Sequence, residues 1–163
     1  MTLAAAGPAL RAVRPEEMAA FTDMVLATLR QGDLATAAVM RSPFLAWWAR
    51  RVLRLFYRYL ARPFILEVSG RPAGFLVLRR SKRTLRIEAL GVLPAFRRQG
   101  WGRWLLEQAA REARALGLAR LELHVSTGNR PALALYNSAG FRPIPRTWQG
   151  IPMEHLLDEE GEP

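Results

Sequence analysis

The sequence predicts an α+β single domain in which helices flank a mostly antiparallel central sheet, in the order β-α-α-β-β-β-α-β-α-β. Three observations carry this expectation. Short apolar segments recur between Phe64 and Val92, parted by the turn signals Gly70-Arg71-Pro72 and Ser81-Lys82-Arg83. Segments with a helical period of apolar residues lie on either side of them. The length of 163 residues, half of them apolar, suits one well-buried core and is short for two, so residues 1–163 are read as one domain.

The elements follow in order. Residues 9 to 14 alternate as a short strand, and Pro15-Glu16-Glu17 supply a helical first turn whose acidic residues suit the positive end of the helix dipole. That helix is expected to run to about Gln31, where Gly32-Asp33 break the pattern, and a second apolar stretch leads to Ser42-Pro43. From Phe44 to Arg62 a step of 100° per residue puts Arg50, Arg51, Arg54, Arg58 and Arg62 on one arc. Leu45, Trp48, Val52, Leu53, Leu55, Phe56, Tyr59 and Leu60 fall on the other. The expectation is an amphipathic helix whose basic face is solvated and whose apolar arc packs on the core; an interfacial membrane helix is the alternative. Pro63 ends it.

Phe64 to Ser69, Ala73 to Arg80 and Leu85 to Val92 then read as a three-stranded meander, with Gly91 a bulge or a point of close backbone approach. Gly102 to Leu116 is helical with Leu105, Leu106, Ala109 and Ala113 inward, and Gly117 stands where a C-terminal cap belongs. Leu118 to Val125 alternates as a strand, Pro131 to Ala139 is a helix capped by Gly140, and Gly150 to Leu157 is a final strand after Arg142-Pro143-Ile144-Pro145 interrupts the chain. Residues 158–163 form an acidic tail expected to fray.

Composition excludes several chemistries. Without cysteine there are no disulfides, thiolate metal sites or thiol nucleophiles, and two histidines are too few for a histidine cage, so no metal is expected. Residues 1–6 are uncharged and Pro8 follows, which is not a signal-peptide pattern, and no apolar run approaches the roughly twenty residues that span a bilayer. A cytoplasmic protein, not integral to the membrane, is expected. The net charge of +10 comes almost wholly from arginine, Lys82 being the one lysine. It suits nucleic acid, an anionic membrane or a polyanionic small molecule, or reflects coding bias alone.

The stretch Val92-Leu93-Pro94-Ala95-Phe96-Arg97-Arg98-Gln99-Gly100-Trp101-Gly102-Arg103 lies between a strand and a helix. Glycines at 100 and 102 let the backbone approach a ligand closely, the unused amides of the first helical turn and the helix dipole favour an anion, and Arg97, Arg98 and Arg103 add to the same field. A phosphate-loop NTPase would need Gly-Lys-Ser or Gly-Lys-Thr here, and a dinucleotide fold a parallel βαβ unit at its first turn.

This stretch resembles the central motif of the GNAT acyltransferases, Val-x-Pro followed by Arg or Gln-x-x-Gly-x-Gly or Ala, with Arg97, Gly100 and Gly102 in the three marked places. A second segment, Asn129-x-x-Ala132-x-x-x-Tyr136-x-x-x-Gly140-Phe141, resembles the family stretch that closes over the pantetheine arm. Together they span about residues 85–141. The resemblance implies a GNAT-like fold with a mixed sheet, and acetyl-CoA held by Leu90, Gly91, Val92, the loop Arg97, Arg98, Gln99, Gly100, Trp101, Gly102 and Arg103, and Asn129. It also implies a variable acceptor region at about residues 28–63 and an amine acceptor, small molecule or protein.

Acyl transfer from a thioester to an amine needs a neutral nucleophile, donors for the oxyanion and a proton for the leaving thiolate. Tyr136 matches the family tyrosine that protonates the thiolate, and main-chain amides around Leu90 to Val92 match its oxyanion site. For the base, Glu88 is expected on the strand face of Leu90 and Val92, where several members place a carboxylate. His124 stands where the ribosomal-protein Nα-acetyltransferase branch carries a glutamate, and Ser126 shares its face. Neither base is preferred over the other, and a mechanism without one stays open. The activity expected is acetyl transfer from acetyl-CoA to a primary amine by direct attack. The alternatives are a non-catalytic acyl-CoA-binding module and a basic-helix binder of membrane or nucleic acid, nucleic acid being disfavoured by the lack of any reading motif. A homodimer is compatible with the sequence.

Overall fold

The computed structural model describes residues 7–29, 42–145 and 150–157. The expected end of the first helix at Gln31, the apolar stretch before Ser42 and the acidic tail lie outside these residues. Seven strands form one sheet in the order β1-β2-β3-β4-β5-β7-β6. They are β1 Ala9–Ala12, β2 Arg62–Val68, β3 Arg71–Arg80, β4 Leu85–Val92, β5 Arg120–Val125, β6 Arg142–Pro143 and β7 Ile151–Leu156. Four helices among the described residues flank it: α1 Met18–Leu29, α2 Pro43–Tyr59, α3 Trp101–Ala115 and α4 Arg130–Ser138. The α+β architecture with a mixed sheet is the one expected, but Arg142 and Pro143, expected to interrupt the chain, form the short strand β6 against β7, at the sheet edge where a proline costs no ladder bond.

Every strand pair is antiparallel except β4 and β5, which α3 connects. The sheet buries both faces. On one, Leu105, Leu106 and Ala109 of α3 and Tyr136 of α4 pack with Leu76, Leu78, Leu85, Ile87, Leu121 and Leu123. On the other, Phe21 and Val25 of α1 and Tyr57 of α2 pack with Ile65, Phe75, Val77 and Ala89. Each such side chain stabilises the fold by roughly 1.5–3 kcal/mol through the apolar area it removes from water.

Local chemistry sets the boundaries. The β2–β3 hairpin turns on Ser69 and Gly70, both at positive φ (51° and 73°), the pairing that matches strand twist in a two-residue turn. Arg71 and Pro72, expected in the turn, are therefore already in β3. Pro72 is tolerated because Val68 and Arg71 close the two-residue turn, so the next pair, Glu67 with Pro72, is a non-hydrogen-bonded one and the missing N–H would face away from β2. Pro15–Glu17 form a 3-10 turn before α1, closed by the Glu17 carboxylate, which accepts from Arg14 N–H at 3.0 Å. Arg11 binds both Glu17 and Glu67 at 2.7 Å, tying this turn to β2. α2 begins at Ser42, whose Oγ accepts from Leu45 N–H at 3.4 Å, and ends three residues short of Arg62 because Pro63 is a buried member of β2 paired with Val77.

The apolar arc of α2 does not pack on the core as expected. Leu45, Trp48, Val52, Leu55, Tyr59 and Leu60 are exposed, while Ala46 and Tyr57 are buried and Leu53 and Phe56 are half-buried against the Phe21 cluster. Phe21 holds Tyr57 in an edge-on contact with ring centroids 5.5 Å apart, and Arg50 turns toward α1 to bind Asp23 at 2.7 Å. With these two contacts on the inward side, the opposite side of the helix must face outward.

Candidate active site

The site begins where two strands part. β4 and β5 pair in parallel at Leu85–Leu121, Arg86–Glu122 and Ile87–Leu123, and there the ladder stops, although β4 continues to Val92 and β5 to Val125. β4 stays bonded to β3 as far as Val92–Gly74. From Glu88 to Val92 its other edge therefore presents backbone groups with no strand partner among the described residues, a ready set of donors and acceptors for an extended ligand.

The irregularity expected at Gly91 is divided between two residues. The bulge is at Glu88: Val77 pairs with Ala89 and Leu78 with Ile87, so Glu88 is the extra residue. Gly91 is instead a point of close approach, for a Cβ there would meet the Phe75 ring at 2.4 Å and Thr28 Cγ2 at 3.0 Å. The bulge also reverses the facing expected for Glu88. Leu90 and Val92 pack toward α3, whereas Ala89 packs toward α1 and α2. Glu88 Oε1 accepts from Arg79 Nε at 2.5 Å, and its charge adds to burial in pushing the nearby Tyr57 phenol up to about 12. It thus projects toward the α1–α2 side, not with Leu90 and Val92.

β4 leads into the loop. Pro94–Phe96 make a 3-10 turn, Arg97 Nε donates to Val92 O at 3.1 Å, and Gln99 Nε2 donates to Ala95 O at 3.3 Å. Arg98 and Gly100 both take positive φ, 61° and 84°, and Gly100 is the N-cap of α3. A glycine cap has no side chain to bond the first turn, and the first amide used is that of Trp104, which donates to Gly100 O at 3.0 Å. The N–H groups of Trp101, Gly102 and Arg103 point out of the helix end without a partner among the described residues. Arg98 and Arg103 are exposed beside them. Gly102 has a second duty that sequence did not suggest: a Cβ there would lie 2.9 Å from Leu135 Cδ2, so it sets the approach of α3 to α4.

The second segment closes the other side. Asn129 caps α4, its Oδ1 accepting from Ala132 N–H at 3.2 Å. Tyr136 is 7% exposed, its ring 5.8 Å from that of Phe141, and burial pushes its phenol up to about 12. The hydroxyl bonds no described residue. His124 is exposed on β5 opposite Pro152, one residue past the last β4 pair, and Ser126 turns the chain toward Asn129. Leu121, Leu123 and Val125 face α3 and α4, so by alternation His124 projects from the same face as Glu88. The structure brings both base candidates to the parting of β4 and β5. No group of three or more metal-ligating side chains occurs among the described residues.

The model of the Acetyltransferase (GNAT) family matches residues 33–141, about two thirds of the chain. The chain belongs to the GNAT acetyltransferase family. The mycothiol acetyltransferase of Jonesia denitrificans is 41% identical over 80 residues, 48% of this chain and 26% of that protein. The [ribosomal protein bS18]-alanine N-acetyltransferase of Escherichia coli K12 is 38% identical over 84 residues, 52% of this chain and 55% of that one. The matches thus span about half or less of these relatives' own lengths. Among solved structures, the PaiA N-acetyltransferase of Thermoplasma acidophilum in complex with coenzyme A superposes with a TM-score of 0.75 at 14% identity, over 93% of this chain and 99% of that one. The ribosomal-protein-S18-alanine N-acetyltransferase of E. coli does so with a TM-score of 0.68 at 25% identity, over 95% and 97%. Within this GNAT chain the family match covers β4, the loop, α3, β5 and α4, the elements that build the site.

Proposed function

We propose that this GNAT protein transfers an acetyl group from acetyl-CoA to a primary amine by direct attack. The observation that carries the reading is the uncapped start of α3, three amides without a partner among the described residues and two exposed arginines, placed beside the edge of β4 that no described strand pairs. The donor set fits coenzyme A: amides at a helix N-terminus and arginine suit a pyrophosphate, and an open strand edge suits the two amides of a pantetheine arm. When bound, acetyl-CoA supplies an activated carbonyl and a thiolate leaving group.

The protein's own groups divide the rest of the work. Amides of Leu90 to Val92 donate to the acetyl oxygen, and the Trp101, Gly102 and Arg103 amides with Arg97 and Arg98 hold the phosphates. Tyr136 carries a proton at neutral pH, its phenol being raised, and offers it to the leaving sulfur. Complete transfer from a phenol near 12 to a thiolate of ordinary pKa about 8.5 is uphill, so the hydroxyl acts first as a hydrogen-bond donor to developing charge. Glu88 or His124 takes the proton of the amine, directly or through water. The acceptor is a small-molecule or protein amine reached from the α1–α2 side, and cytoplasmic residence belongs to the same reading.

Calorimetric titration with acetyl-CoA tests the site. Binding to the native protein that is lost in Gly100→Asp, a residue that tolerates positive φ but sets a carboxylate against the anion, supports it. No heat at millimolar concentration overturns it. Turnover in an amine screen then separates an enzyme from a non-catalytic acyl-CoA-binding module.

A further inference from the structure

The outward side of α2 carries two adjoining stripes. Phe44, Trp48, Val52, Leu55 and Tyr59 form one, and Arg51, Arg54 and Arg58 the other, at the helical spacing of three and four residues. The apolar stripe is open to solvent: Trp48 is 55% exposed, Leu55 51% and Tyr59 70%. All the exposed large hydrophobic residues described, Leu156 excepted, lie between Phe44 and Leu60. No acidic residue occurs from Ser42 to Leu60. Arg51 and Arg54 make no ion pair with a described residue, and Arg58 lies over the Tyr59 ring at 5.7 Å.

We propose that this face docks the protein on an anionic lipid bilayer, with α2 lying in the interface. Exposed apolar surface concentrated on one helix marks an interaction site. Charge selects the occupant. A second copy packed face to face would bring arginines together with no carboxylate on either helix to offset them. A protein partner of ordinary kind matches an apolar centre ringed by polar groups, whereas α2 is divided lengthwise. Such a division fits a planar boundary, with Trp48, Leu55 and Phe44 entering the acyl region, Tyr59 and Trp47 at headgroup depth and the arginines on the phosphates. The inward contacts of Ala46, Tyr57 and Arg50 hold the helix formed beforehand, so docking carries no folding cost.

The proposal does not depend on acetyl transfer, and its test uses no activity. The full chain is mixed with vesicles of phosphatidylcholine and phosphatidylglycerol in equal parts, and with vesicles of phosphatidylcholine alone, and bound protein is separated by flotation. Binding to the mixed vesicles only, weakened by salt and accompanied by a blue shift of tryptophan emission, is expected. Arg51→Glu with Arg54→Glu and Arg58→Glu should weaken partitioning by about a hundredfold or more, at roughly fivefold per lost charge. Trp48→Ser with Leu55→Ser, both at exposed positions, should leave a weak, salt-sensitive association without the blue shift. If the glutamate variant does not fold, the corresponding glutamine variant replaces it. Equal binding to both vesicles, binding to neither, or partitioning that survives both variants overturns the proposal. So does a dimer at working concentration that Leu55→Ser dissolves, which would make a second copy the occupant.

Discussion

The Phe75 ring occupies the space a side chain at Gly91 would need: a methyl group there would come within 2.4 Å of Phe75 Cζ and 3.0 Å of Thr28 Cγ2. The glycine is thus a packing requirement of the α1 face at the point where β4 runs beside the candidate site. Gly91→Ala should destabilise the protein by about 1–3 kcal/mol through overpacking against a rigid ring. Urea denaturation measures it, and Phe75→Leu should make the same substitution less costly in a double-mutant cycle.

Gly100 differs, because a Cβ there meets nothing within 4 Å and only its φ of 84° matters. Gly100→Asn and Gly100→Asp should each cost about 1 kcal/mol of stability or less, since both residues tolerate the left-handed region. Acetyl-CoA affinity should fall a few-fold in the first and at least a hundredfold in the second, as calorimetry would show. Equal losses would remove the electrostatic part of the argument.

Tyr136→Phe should lower kcat by about a hundredfold while leaving the KM for acetyl-CoA within a few-fold, the signature of an interaction made during the chemical step. Its pKa has a second consequence. Burial raises the folded value from 10.0 to about 12, so the contribution to stability is complete below pH 10 and is lost as pH rises from 10 to 12. Ultraviolet titration should show a late-titrating tyrosine near pH 12 that disappears in the variant. Tyr57, raised by burial and by the Glu88 charge, should titrate late as well and remain as the internal control.

Glu88 and His124 are separable. Whichever acts as base, its removal should cost about a hundredfold in kcat/KM at neutral pH and abolish the acidic limb of the pH–rate profile, while the other variant changes the rate only a few-fold. Glu88→Gln also releases Arg79, so Arg79→Gln is its control for lost ion pairing. If both variants keep the acidic limb, the amine reacts without a protein base.

Arg11 and Glu17 predict acid sensitivity. The hydrogen bond from Arg11, followed by that from Arg14 N–H, lowers the Glu17 carboxyl from 4.5 to about 2. A lowered acid pKa stabilises the fold above about pH 4.5, and that stabilisation is lost as pH falls from 4.5 toward 2. The difference in melting temperature between native protein and Glu17→Gln should therefore be constant near neutrality and shrink across that interval.

Much of the site was legible along the chain. Leu85–Val92 was expected as a strand and is one, and the uncapped helix start at Gly100 follows from a glycine where a serine or aspartate would cap. Leu135 against Gly102 and Arg79 against Glu88 were not legible, because each depends on how distant elements approach. The bulge decides the second: one extra residue in β4 reverses which face Glu88 occupies, and nothing in the alternation of Leu85–Val92 marks its place.

The sequence by itself determined the order of elements as far as α4, the loop glycines and arginines, and the division of α2 into two faces, since all of these depend on residues within a few positions of one another. Only the tertiary structure decided where β4 and β5 part, which way Glu88 points, and that the aromatic stripe of α2 faces outward. Helical period separates the faces of a helix but does not choose between them. Here the choice fell to Phe21 and Asp23 of α1, whose contacts with Tyr57 and Arg50 turn the opposite side of α2 to solvent.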